Sequence, residues 1–294
     1  MRRLIINADD FGFTAGVNRA IVEAHTHGIV TSATLMAKGR AFDDAVQLAS
    51  SLPRLSVGCH VVLIDGEPVL EKNQVRSIAS AQSGPAKFGD SLKSFAARAL
   101  AGGLNRDEIE AEVEAQIRKL QSAGIAVSHV DTHKHTHLFP AVLKPVLRAA
   151  KACGVRAIRN PFGPTKPLRS ADLLSRPSLW TRYVEVKLLR SLAAGFQEAA
   201  KNEGFITPDG TFGIVVTGSL DEKLFRAIAG IIPEGTWEFV CHPGYNDEDL
   251  KSANTRLRES RECELHVLTM PEARQLLASN GITLISYRDL AGSL

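Results

Sequence analysis

The stretch HVDTHKHTH, residues 129–137, holds four of the chain's nine histidines. Elsewhere an Asp9–Asp10 pair sits in NADDFG, His60 in VGCHVVL and His242 in CHPG. Neutral imidazoles and carboxylates are good zinc ligands, and a catalytic zinc takes three of them and keeps a fourth position for water. The ion acidifies that water and polarises an incoming carbonyl. A second carboxylate can then serve as general base, and a histidine across the pocket as general acid. Because Asp9 and Asp10 are neighbours, one ligand and one base is the natural division between them. Borderline-soft nitrogen ligands favour zinc; magnesium, the alternative, prefers more oxygens and water.

Each of these residues also has a plainer reading. The Asp9–Asp10 pair could cap the helix that follows. His60, between apolar residues, could be a satisfied core histidine, and His242 before Pro-Gly a turn residue. His129 reads as structural. Asp131 could hold the His133 imidazole from behind or cap the loop. His25 and His27 close a helix, where the dipole favours them, and carry no assigned role.

The elements that must position these groups follow from periodicity. RLIINA (3–8), IVTSATLMA (29–37), LSVGCHVVL (55–63), IAVSHVD (125–131), VRAIRN (155–160), FGIVVTG (212–218), WEFVCHPG (237–244) and ITLISY (282–287) read as strands. Between them lie helical patterns over 15–28, 42–52, 105–124, 140–154, 179–203, 221–230 and 271–279. The helix over 105–124 is the clearest, with Asn105 and Glu108 at capping-box spacing and Ile109, Val113, Ile117 and Leu120 on one face. Pro140 opens the next helix and Pro145 is expected to kink it.

About eight strands alternating with helices predict an α/β fold: a single-domain (β/α) barrel over 1–294, closed or nearly closed, distorted, with mostly parallel strands. Long rim loops are expected at about 64–90 and 160–178. In such a barrel the catalytic face is the C-terminal end of the strands. Asp9, Asp10, His60, the 129–137 cluster and His242 all fall there, delivered by four separate strands.

Composition narrows the class. With 44% hydrophobic and 23% charged residues the chain is an average globular protein, and its net charge of +3 is too mild for a nucleic-acid partner. No apolar run approaches the ~20 residues of a transmembrane helix. The N-terminus lacks the signature of a signal peptide. Cys59, Cys153, Cys241 and Cys263 show no CxxC spacing, so a reducing, cytoplasmic location is expected.

NADDFG, VGCHVVL, HVDTHKHTH and CHPG, in this order and at these separations, resemble the YdjC-like carbohydrate deacetylases, from residue 3 to about 288. VLIDGEPVL, HKHTHLFPAVL and HPGYNDEDL are more similar still to the hopanoid-biosynthesis-associated branch of that family. The resemblance implies a metal-dependent hydrolase that removes acetyl from an N-acetylglucosamine unit on a hopanoid lipid, with peripheral contact at the inner membrane surface. It places the single metal ion on Asp10, His60 and His133, the general base on Asp9 and the general acid on His242, with Asp131, His135 and His137 behind the ligands or lining the pocket. His137, four residues after His133, stays an alternative ligand to His60. The other readings are a chito-oligosaccharide deacetylase, a metal phosphoesterase holding two ions, and a non-catalytic sugar-binding protein. The loop at 160–178, with its Arg, Lys and Leu leading into Trp180, would suit a lipid-linked sugar or a membrane surface, and reads equally well as a solvated loop with scattered apolar anchors.

Overall fold

The computed structural model describes residues 1–80, 85–164, 168, 176 and 179–292. Its sheet is parallel throughout. β1 (Arg2–Phe11) lies between β2 (Ser32–Leu35) and β8 (Gly235–Cys241). Beyond β2 come β3 (Ser56–Val61) and β6 (Val130–Thr132), and beyond β8 comes β7 (Gly210–Phe212). β9 (Ile282–Leu284) pairs with Arg2 to Leu4, below the point where β2 joins β1. The short antiparallel pair β4 (Ala79–Ser80) and β5 (Lys87–Phe88) stands apart.

An irregular stave, residues 156–162, closes the ring. It is bonded to β6 on one flank (Val130 N to Ala157 O and Arg159 N to Val130 O, both 3.0 Å). On the other flank Ile206 N donates to Arg156 O at 2.8 Å and Thr211 N to Phe162 O at 3.1 Å. The result is a distorted (β/α) barrel. The expected strand over 155–160 is thus present only as single bridges.

Helices cover the outside of the ring. α1 (Ala15–Thr26) and α2 (Phe42–Ser50) follow β1 and β2, α3 (Leu92–Ala101) and α4 (Arg106–Ser122) follow β3, and α5 (Pro140–Ala152) follows β6. α6 (Trp180–Leu189) and α7 (Ala193–Asn202) precede β7; a 3-10 turn separates them where one continuous helix is expected from the sequence. α8 (Glu222–Ala229), α9 (Glu248–Ser252), α10 (Glu259–Thr269), α11 (Ala273–Ser279) and α12 (Tyr287–Ala291) complete the order. Leu4, Ile6 and Ala8 of β1 are fully buried in one apolar layer with Val17, Ala20 and Ile21 of α1. α12 turns back against the bottom of the barrel, where Tyr287 and Leu290 pack on Ile5 and Ala157 as a separate small cluster.

Further expectations need correction. FGIVVTG is strand only to Phe212: Gly213 turns the chain at φ +96°, and Val216 N and Thr217 Oγ1 both bond back to its carbonyl. ITLISY is strand only to Leu284, because Ser286 accepts from Asp289 N and starts α12. Residues 64–90 are not structureless. α4 holds them by a polar stripe at helical spacing: Glu108 accepts from Ser77 N at 2.6 Å, and Glu112 from Val69 N and Leu70 N at 2.8 and 3.0 Å. Gln116 bonds both N and O of Val62. Asn105 caps α4 as its spacing suggests, but Glu108 is spent on the loop and closes no capping box. Ile109, Val113, Ile117 and Leu120 are buried as the period predicts. Most of the loop expected at 160–178 lies outside the described residues.

Candidate metal centre at the barrel mouth

β1 delivers two adjacent aspartates to one place by breaking its own regularity. Its register with β2 shifts between Ala8 and Phe11, and Asp10 adopts φ +67°, a left-handed conformation strained for a residue with a side chain. The pair does not cap α1; Thr14 does, accepting from Val17 N at 3.2 Å.

Asp10, His60 and His133 converge. Asp10 Oδ1 lies 3.4 Å from His60 Nε2 and 3.6 Å from His133 Nδ1, and the two ring nitrogens are 3.2 Å apart. Tetrahedral zinc with bonds of about 2.0–2.2 Å spaces its donors about 3.3–3.6 Å apart. The donor set therefore fits one divalent ion in both chemistry and spacing. Asp10 presents a single oxygen, because Arg261 Nη2 of α10 donates to its Oδ2 at 2.6 Å. Gly244 of CHPG makes room for that arginine, since a Cβ there would lie 2.8 Å from Arg261 Cδ. Burial works against the Asp10 charge, yet Arg261 and the histidines hold its carboxyl well below the usual range.

The His60 ring is oriented from behind. Its Nδ1 lies 2.8 Å from Asp131 Oδ1, and Thr34 Oγ1 donates to Asp131 Oδ2 at 3.1 Å. A proton on Nδ1 leaves the Nε2 lone pair facing Asp10 and His133. Burial opposes charge on this ring, but Asp131, with Asp9 and Asp10, outweighs it and lifts His60 to about 9, so a bound cation would take the place of the second proton, on Nε2.

Asp9 sits beside this triangle. Arg159 donates Nη2 to its Oδ1 at 2.6 Å and Nη1 to its Oδ2 at 2.8 Å, and Asn7 Nδ2 adds a third bond at 3.0 Å. Burial raises the Asp9 carboxyl, but Arg159 more than reverses this and keeps it ionised. The same guanidinium reaches Asp131 Oδ2 and Glu238 Oε1, at 2.6 and 2.7 Å. Asp9, His60 and Asp131 form a second grouping with metal-ligand character, but Arg159 already supplies its cation. Across the mouth, His242 Nε2 lies 3.9 Å from Asp9 Oδ2. Its backbone N donates to Glu264 Oε2 at 2.6 Å, and burial lowers its pKa despite the pull of Glu264 and Asp9.

The remaining histidines divide. His137 is fully buried; Thr132 Oγ1 lies 2.7 Å from its Nδ1, and its Nε2 lies 3.1 Å from the carbonyl of Arg159. Both nitrogens are engaged, so neither faces Asp10. Burial and then Arg159 hold it neutral, down to about 3. His135 is half-buried, with Nδ1 unpartnered among the described residues. His129 stacks on Tyr287 at 3.6 Å between ring centres, below the site.

The sequence motifs do not point to Arg159, Arg261, Glu238, Glu264, Thr34 or Tyr287. A signal existed for Glu238: it shares strand parity with His242 in an otherwise apolar run. Arg261 and Glu264 had none, since they arrive on a helix that reads as a charged surface.

The sequence matches the YdjC-like protein family over residues 3–279. The chain belongs to that family. Among curated relatives it is 32% identical over 289 residues to a carbohydrate deacetylase of Brevibacillus brevis, covering 98% of this chain and 99% of that one. The carbohydrate deacetylase of Geobacillus stearothermophilus is also 32% identical, with 98% of each chain covered. Among solved structures, a protein of Enterococcus faecalis V583 described as a candidate cellobiose-phosphate cleavage protein superposes with a TM-score of 0.77, at 25% identity and 98% coverage of both chains.

Proposed function

We propose that this YdjC-like protein is a metal-dependent carbohydrate N-deacetylase, acting on an N-acetylglucosamine unit carried by a hopanoid lipid. The observation that carries the chemistry is the Asp10–His60–His133 triangle with Asp9 and His242 facing each other beside it. Asp10, His60 and His133 would hold the ion, with zinc the favoured metal. When bound, the ion supplies a Lewis acid that polarises the acetyl carbonyl and acidifies water.

Asp9 accepts the proton of the attacking water. Arg159 keeps its carboxylate ionised and aimed. His242 Nε2 delivers a proton to the amine nitrogen as its bond to the acyl carbon breaks. Water and amide become acetate and a free amino sugar. Glu264 holds the His242 backbone in place for that delivery. Asp131 fixes the His60 ring; His135 lines the mouth; His137 supports the stave from within the fold.

A two-ion phosphoesterase is disfavoured because Arg159 occupies the place of a second cation. The carbohydrate deacetylase relatives argue against a sugar-binding protein without catalysis. The hopanoid acceptor rests on the resemblance of VLIDGEPVL and HPGYNDEDL; a chito-oligosaccharide is the second reading, and the relatives suit either. A lipid-linked substrate would place the protein in the cytoplasm at the inner membrane face. Among the described residues no helix is long and apolar enough to cross a membrane, whereas Trp180, Val184 and Leu188 are exposed at four-residue spacing on α6, a face suited to peripheral contact.

The test is acetate release from an N-acetylglucosaminyl hopanoid and from an N-acetylchito-oligosaccharide, before and after chelation and zinc add-back. Zinc-restored turnover of the lipid is expected. Turnover of the oligosaccharide alone discards the hopanoid, and no release from either sinks the deacetylase reading.

A further inference from the structure

Buried polar side-chain atoms without a hydrogen-bond partner gather at one end of the barrel. Among the described residues they include His242 Nδ1, Asn246 Oδ1 and Arg261 Nη1 on one side of the mouth, and Asp65 Oδ1, His135 Nδ1 and Thr136 Oγ1 on the other. Native proteins rarely leave such atoms unsatisfied unless something outside the fold completes them. Asp65 Oδ1 stands out, because it is a carboxylate oxygen that neither the metal triangle nor the proton-transfer pair uses.

Its surroundings define what it can take. Asp65 follows β3, past His60, where the 64–90 loop returns: Asp65 N donates to Gly89 O at 3.0 Å and Phe88 N to Gly66 O at 2.9 Å. Its other oxygen, Oδ2, is paired with the ammonium of Lys134, the residue after His133. Among the described residues, the non-glycine residues with positive φ are Asp10, Asp65, Lys134 and His135, and all four lie at this mouth. Lys134 has already neutralised the carboxylate, so a second cation gains little at Oδ1. A neutral donor fits: a hydroxyl.

We propose that Asp65 is a sugar-binding residue whose Oδ1 accepts a hydroxyl of the carbohydrate substrate, and that Lys134 orients it. This rests on the carbohydrate deacetylase reading and adds the residue by which the 64–90 loop contributes specificity. The strained turns then have a purpose: they bring the carboxylate of one rim loop against the ammonium of the next, beside a metal-ligand histidine.

The experiment compares wild type with Asp65→Ala, Asp65→Asn and Lys134→Met. Calorimetry measures binding of an N-acetylchito-oligosaccharide, steady-state acetate release gives KM and kcat, and 4-nitrophenyl acetate reports the metal chemistry without a sugar. Asp65→Ala is expected to weaken binding and raise KM by about 10- to 100-fold, the size of one lost hydrogen bond to a charged group. Zinc content and 4-nitrophenyl acetate hydrolysis stay at wild-type values. Lys134→Met shifts KM in the same direction by less. Asp65→Asn keeps the side-chain shape and an oxygen acceptor, shows a smaller rise in KM, and carries the test if the alanine variant does not fold. Unchanged sugar binding in both Asp65 variants overturns the proposal, as does a parallel fall in ester hydrolysis and zinc content, which marks Asp65 as structural. A wild type that binds the sugar but releases acetate from neither it nor the N-acetylglucosaminyl hopanoid overturns only the deacetylase reading; one that binds neither overturns both.

Discussion

The two faces of β1 meet opposite environments. Leu4, Ile6 and Ala8 point outward into the apolar layer under the helices, where burial of a large aliphatic side chain contributes about 1.5–3 kcal/mol. Asn7 and Asp9 point inward, to a barrel interior filled by Thr34, His60, Asp131, Arg159 and Glu238. Only the floor of that interior is apolar, where Tyr287 and Leu290 meet Ile5 and Ala157. All these residues are buried, yet the outer ones are held by area and the inner ones by paired charges. A buried ion pair contributes little net stability, but losing one partner is costly. The interior is therefore where function should be sensitive and the exterior where only stability should be.

His60→Ala should separate the two faces most sharply. Removing a donor of the triangle should cost more than the roughly 10- to 100-fold typical of a residue behind a ligand, with bound zinc falling toward zero by metal analysis. Retained one-to-one zinc would move the metal centre elsewhere.

Arg159→Met and Ile6→Ala form a matched pair. The first leaves Asp9, Asp131 and Glu238 without their shared cation and should cost about 3–5 kcal/mol in urea unfolding. The second should cost about 2–5 kcal/mol. Acetate release per folded molecule should collapse in the first and survive in the second; equal survival would erase the distinction between faces.

The interior should also set the acid limit. His137 is held neutral at about 3, below its ordinary 6.5, so the unfolded chain takes up its proton first as pH falls. That contribution is complete above about pH 6.5 and shrinks as the pH drops toward the folded value, by about 1.4 kcal/mol for each pH unit crossed. Unfolding free energy should therefore fall from about pH 6.5 to about 4.5, before ordinary carboxylates titrate, and His137→Gln should flatten part of the slope. His27, exposed at the end of α1, is the control: His27→Ala should stay within about 0.5 kcal/mol and leave acetate release unchanged.

The parallel barrel and its rim were legible because both follow from local pattern. Apolar runs alternated with amphipathic helices, and NADDFG, VGCHVVL, HVDTHKHTH and CHPG all fell at strand ends, which the register bears out from His60 opposite Asp131 to Ala8 opposite Cys241. What stayed hidden depends on partners distant in the chain. Glu108 read as the capping-box partner of Asn105 and the sequence assigned no role to Glu112 or Gln116, yet all three hold the 62–77 segment. VRAIRN read as an ordinary strand, yet its Arg159 joins three carboxylates from three different strands.

By itself, the sequence determined which residues could carry metal chemistry and that a barrel would deliver them to one rim, because spacing along a strand or helix sets side-chain direction. Only the tertiary structure decided that His133 and His60 meet Asp10 while His137 turns inward, that Arg159 pairs with Asp9, Asp131 and Glu238, and that Arg261 arrives from 251 residues away to hold Asp10. Those outcomes depend on closing the ring and on pairing buried charges, and neither is encoded in any short stretch of the chain.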